Sequence, residues 1–133
     1  MSKHAAGGFE VKLEPQQVST ESVASGSFIA HKVFSGDFVG TSRLEMWTVL
    51  TAIKGSAGYV AIEQLNGTLL GRHGTFKLLH QATMRQGADS KSSLIVVPDS
   101  GTDDLVGITG TMTIDAVSGA HRYLFDYSLP DVR

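Results

Sequence analysis

Two residues capable of chemistry stand where the chain otherwise places apolar side chains. Glu63 and His80 fall in alternating segments over 59–70 and 75–84, joined through Gly71-Arg72-His73-Gly74. A turn tip at Arg72-His73 pairs Leu65 with His80 and Glu63 with Ala82. One face then holds Tyr59, Ala61, Glu63, Leu65, Gly67, Leu69, Phe76, Leu78, His80 and Ala82. The other holds Gln64, Asn66, Thr68, Thr75, Lys77 and Gln81. A one-residue slip would destroy this contrast, so the first face is read as interior. Glu63 and His80 become diagonal neighbours, their Cβ atoms about 7 Å apart.

Burying a carboxylate without partners costs several kcal/mol, so the pair marks either a lined cavity or a satisfied piece of core. As a site, it fixes a polar group of a ligand or carries acid–base chemistry. Glu63 would then be the base, its pKa raised by apolar surroundings, and His80 or a tyrosine the proton donor. As core, Glu63 is held by His80 or by the hydroxyls of Tyr59 or Tyr127. A metal centre would need three or more converging ligands. Glu63, His80 and His31 are the available set, but no local ligand spacing joins them, and neither metal nor cofactor is predicted. Asp103-Asp104 follows Thr102 and reads as the first turn of a short helix capped by that threonine. His73 belongs to a solvated turn tip and His4 to a tail.

These residues need elements to hold them. Alternation predicts strands over 9–13, 22–34, 38–51, 59–70, 75–84, 92–97, 111–115 and 122–129. Turns fall at 35–37, 54–56, 86–89 and 116–121, and 15–21 reads as a polar loop. No segment sustains a helical period beyond one turn near 102–106. The expectation is all-β: an eight-stranded antiparallel barrel of meander topology, closed to remove its edges, over 8–133, behind a disordered tail at 1–7. Such a barrel is about wide enough to hold one small ligand. A tip at Gly36-Asp37 pairs His31 with Ser42 and Ile29 with Leu44. The uncharged face with Ile29, His31, Val33, Ser42, Leu44 and Met46 is taken as interior. The opposite face, with Lys32, Arg43, Glu45, Phe28, Phe34 and Trp47, reads as a contact between copies. In the last hairpin Met112 and Ile114 face Tyr123, Phe125 and Tyr127 inside.

Four segments carry a resemblance. They are Lys32-Val-Phe-Ser-Gly-Asp-Phe-Val-Gly-Thr-Ser42, Gly58-Tyr-Val-Ala-Ile-Glu-Gln-Leu-Asn-Gly-Thr68, Gly74-Thr-Phe-Lys-Leu-Leu-His80 and the run from Val97 to Thr111. In this order they resemble the bacterial domain-of-unknown-function family 3224, whose fold is similar to the allene-oxide-cyclase barrel. The resemblance implies eight antiparallel strands around a central cavity. It carries no activity, because fold alone does not confer one.

Composition narrows the function classes. Of 133 residues 41% are hydrophobic and 18% charged, a globular balance. The net charge is −2 and the 11 Lys and Arg are scattered, so no basic stripe exists for nucleic acid. The longest apolar run, Leu94 to Val97, is far short of a membrane span. There is no cysteine, and the first residues lack the apolar core of a secretory signal, which points to the cytoplasm. The chain thus reads as a small barrel binding an apolar or mixed-polarity molecule inside, lined by Ser42, Met46, Tyr59, Glu63, Phe76, His80 and Tyr127. The alternatives are a cofactor-independent isomerase- or cyclase-like enzyme using Glu63 and His80, or a filled barrel serving oligomeric interaction.

Overall fold

A computed structural model describes residues 2–18, 25–117 and 120–130. Eight strands follow in order: β1 (Lys3–Val18), β2 (Ser25–Gly36), β3 (Phe38–Leu50), β4 (Ala57–Leu69), β5 (Arg72–Arg85), β6 (Ala88–Val96), β7 (Thr109–Val117) and β8 (Ala120–Ser128). Each pairs antiparallel with the next, and β1 pairs with β8, closing a meander barrel. The short helical turn is a 3-10 segment, Asp103–Leu105. Among the described residues no helix is long and apolar enough to cross a membrane.

Closure recruits the N-terminus. Residues 3–7, expected as a tail, begin β1, with Lys3 opposite Tyr127 and Gly7 between Gly36 and Tyr123. The side chain of His4, expected in that tail, meets Asp126. Residues 15–18, expected in a loop, continue β1. The expected starts of strand two at 22–24 and the turn residues 118–119 lie outside the described residues.

Turn chemistry sets the registers. Leu70 and Gly71 both have positive φ, 46° and 89°, as a two-residue hairpin of mirror-image type requires. The tip is therefore Leu70-Gly71, two residues before the expected Arg72-His73. Glu63 faces Leu78 and Ala61 faces His80, rather than Ala82 and Leu65. Parity is unchanged, so every β4 and β5 side chain keeps its expected face.

The β2–β3 connection differs by one residue, and parity flips. Phe34 pairs with Gly40 and Lys32 with Ser42. Gly36 pairs with Gly7 instead of forming the tip, and Asp37 is tied to β1. Its N–H donates to Ala6 O at 3.0 Å, and Ala6 N–H donates to its carboxylate at 2.9 Å. Ala30, Lys32 and Phe34 therefore face inward, while His31 and Val33 face out. The aromatic outer face drawn from the sequence dissolves: Phe34 is core, Phe28 is half-buried on the inward side, and Trp47 alone of the three points out.

The two barrel ends differ. Phe9, Phe34, Phe38, Phe76, Phe125 and Tyr127 make a chain of ring contacts with centroids 5.2–6.0 Å apart. The 97–108 connection seals this end with buried Leu105 and Ile108. Thr102 does not cap the 3-10 turn with its side chain. Its hydroxyl instead accepts the Thr75 N–H at 3.0 Å, tying the seal to β5. At the other end Ala30, Leu44 and Ala61 form a small second core, with Val11, Met46 and Tyr59 partly buried against it. There the inward positions Leu13 and Met84 are 54% and 40% exposed, so this end is open.

Gly40 and Gly67 face each other across β3 and β4 because the two backbones approach too closely for a side chain: a Cβ on Gly40 would sit 2.2 Å from Asn66 O and one on Gly67 2.3 Å from Val39 O, with the Phe38 ring 2.9 Å from the latter. Tyr123 crosses the same region. Its hydroxyl accepts the Phe38 N–H at 2.8 Å and donates to Ser35 O at 3.0 Å. Tyr123→Phe strands a buried N–H and is expected to cost about 1–3 kcal/mol, seen as a lower urea midpoint at unchanged slope.

Candidate functional site

Four adjacent strands each send one polar side chain to the boundary between the aromatic core and the open end. β2 brings Lys32, β3 brings Ser42, β4 brings Glu63 and β5 brings His80. Lys32 is opposite Ser42, and Ser42 opposite Leu65, two residues from Glu63. His80 lies two residues beyond Leu78, the partner of Glu63. Glu63 is 0%, His80 2%, and Lys32 and Ser42 6% exposed.

Glu63 is the hub. His80 Nε2 lies 2.7 Å and Lys32 Nζ 3.3 Å from Oε1, and the Ser42 hydroxyl donates to Oε2 at 2.5 Å. A carboxylate only accepts, so His80 must carry its proton on Nε2 to donate here. Lys32 Nζ also lies 4.7 Å from the centroid of the Phe9 ring, in cation–π range. Among the described residues, Glu63 Oε1 is the one acceptor within hydrogen-bond distance of that ammonium. An ammonium has three donors.

Burial pushes the Glu63 pKa up. The hydrogen bond from His80, the charges of Lys32 and His80, and the Ser42 hydroxyl more than offset this, and the carboxyl ends below its ordinary 4.5. The sequence expectation of a raised carboxyl is overturned: an apolar setting raises a lone carboxyl, and this one has a cation and two donors. Glu63 therefore stays ionised near neutrality and is a weak base. What it can do is hold His80 in one tautomer and support a positive charge on it, leaving proton transfer to the imidazole. Tyr59 lies near enough to feel the same charge, since burial and then Glu63 raise its phenol pKa.

The other expected site residues divide. Met46 and Tyr59 lie on the open side of the hub, half-buried. Phe76 and Tyr127 belong to the aromatic stack on the sealed side, each packed on Phe125. They wall the barrel and do not join the cluster. The Tyr59 and Tyr127 hydroxyls, expected as possible partners of Glu63, are replaced by Ser42 and Lys32. His31 is exposed on the outer face, its Nε2 3.2 Å from Glu14 Oε2, so it cannot converge with Glu63 and His80. The central cavity implied by resemblance is filled in its sealed half. Two surface grooves, of about 580 and 670 Å³, lie over outward-facing rows of side chains.

Lys32 was missed. The clue was its own face: Phe28, Ala30 and Phe34 flank it, an apolar alternation with one cation, matching the one anion on β4.

A protein family model described as "Protein of unknown function (DUF3224)" matches residues 5–127. The chain belongs to the DUF3224 family. A crystal structure of a DUF3224 protein of unknown function from Shewanella oneidensis MR-1, at 1.84 Å resolution, is similar to it. Sequence identity is 40%, the TM-score is 0.91, and the alignment covers 98% of this chain and all of the other. No curated protein matches. DUF3224 membership thus agrees with the barrel and assigns no reaction.

Removing one member of a buried ion pair leaves the other uncompensated. Glu63→Gln is expected to cost about 3–5 kcal/mol at neutral pH, and adding Lys32→Met recovers much of the loss. The folded carboxyl lies below its unfolded value. Its stabilisation is complete above 4.5 and disappears as pH falls through that value and then through the folded one. Urea denaturation across this acid range checks it: stability falls less steeply with acid in the double variant than in the wild type.

Proposed function

We propose that this DUF3224 barrel binds a small molecule of mixed polarity at its open end. The observation that carries the reading is Lys32: a buried ammonium with three donors and, among the described residues, one protein acceptor, beside an imidazole already oriented by Glu63. A ligand oxygen meets that need, so the polar group is an acceptor, a carbonyl or a carboxylate. The apolar body lies against Val11, Met46 and Tyr59, which pack partly buried beside the small residues Ala30 and Ala61. Oriented polar groups beneath apolar walls are the ordinary division of labour in ligand sites.

A second reading rests on the 2.7 Å contact between Glu63 and His80. In it the barrel is a cofactor-independent acid–base enzyme, with His80 the proton carrier and Glu63 its orienting carboxylate.

Native mass spectrometry of freshly purified protein tests the binding reading. A co-purified mass is expected on the wild type, or a shift with acceptor-bearing probes from a compound set. Met46→Trp fills the open end without touching the ionic cluster and is expected to abolish it, as is Lys32→Met. Retention of ligand in both variants, or no bound mass with any probe, contradicts the proposal and leaves the filled-barrel reading. Turnover of a bound compound that is lost in Glu63→Gln while binding persists favours the enzyme.

A further inference from the structure

The outer face of β3–β6 carries a feature the fold does not require. Gly58 lies mid-row on this face, between Val49 of β3 and Thr83 of β5, with Lys91 next on β6. A Cβ there would meet Ala82 O at 3.5 Å, Thr83 Cγ2 at 3.8 Å and Val49 Cγ1 at 3.9 Å, all ordinary contacts. Its φ is not positive either. A strand is weakened by glycine, and neither packing nor backbone demands one here. What the missing side chain does is leave a notch in the groove of about 580 Å³ lined by Trp47, Val49, Val60, Thr83 and Lys91.

Beside the notch lies an apolar set, bounded on β5 and β6 by the polar Gln81 and Ser93 of the Trp47 row. Trp47 is paired with Val60, and the next row runs Glu45, Ile62, Leu79, Ile95 across the four strands. Trp47, Val60 and Ile62 are each about half exposed. Single exposed apolar residues need no explanation, but a contiguous set beside a groove marks an interaction surface. The patch also carries both halves of a contact. A protruding indole sits next to a hole, and Glu45 and Lys91 occupy diagonally opposite corners. A two-fold contact needs this self-complementarity, whereas an unrelated partner does not.

We infer that this face is a dimer interface between two copies of the chain. The two-fold axis runs obliquely to the strands, so that Trp47 of each copy enters the notch over the other's Gly58, and Glu45 of each meets the other's Lys91. Glu45 already contacts Arg43 in its own chain, so the new pair extends an existing one. The patch spans about 14 Å by 13 Å between Cα atoms at ordinary strand spacings. Its apolar centre is small against the roughly 800 Å² per partner of a standard stable interface, so the dimer is a dissociating one.

Sedimentation velocity of the full chain over a wide concentration range tests this. Trp47 is the one tryptophan and reports the contact directly. The expected result is a mass rising from one chain toward two, with indole emission shifting to the blue in step. Gly58→Val fills the notch with a strand-favouring residue, and Trp47→Glu removes the knob; both are expected to stay monomeric while melting as cooperatively as the wild type. Glu45→Lys weakens association and Glu45→Lys with Lys91→Glu restores it. A wild type that stays monomeric throughout overturns the inference. So does association undiminished in Gly58→Val and Trp47→Glu, which would place the contact elsewhere.

Discussion

A carboxylate with no solvent exposure organises half of this barrel. Glu63 cannot remain charged in the interior unless cations and donors come to it, and β4 supplies none of them. Lys32, Ser42 and His80 arrive from β2, β3 and β5, each by a register that puts it diagonal to or in reach of the hub. Shifting β2 by one residue would send Lys32 to solvent and bring Val33 or His31 inside. The ionic cluster and the turns thus specify the same pairing, and a slip would incur both the packing loss and the cost of a bare buried charge.

The cluster also divides the barrel. On one side, aromatic rings and the 97–108 connection fill and seal the interior. On the other, the small core of Ala30, Leu44 and Ala61 gives way to half-buried Met46 and Tyr59 and to exposed Leu13 and Met84. For the proposed site, the filled half would give rigidity and the open half access. Glu63 serves both: it is the shared acceptor of a structural network and orients the imidazole of His80.

Much of this was legible in the residues. Alternation in 59–70 and 75–84 placed Glu63 and His80 together on the correct face, although the tip is at Leu70-Gly71. That error was harmless because it moved the pairing by an even number of positions. Leucine at positive φ is unusual, so the sequence marked a turn at Gly71 but not Leu70 as its other tip residue. The β2–β3 register was not legible, because Gly36 pairs with β1 and Asp37 is tied to Ala6, contacts that exist only once the barrel closes. The odd offset exchanged the faces of β2, hid Lys32 and promoted His31. The raised Glu63 pKa expected from the sequence fell with the same error, since its compensating cation was assigned to the outside.

The most direct measurement is the carbon-13 shift of the Glu63 side-chain carboxyl during acid titration of the intact protein. The expected result is an ionised carboxylate at neutral pH that remains so down through 4.5, the ordinary value for the group. A carboxyl that is protonated at neutral pH, or that titrates above 4.5, would contradict it.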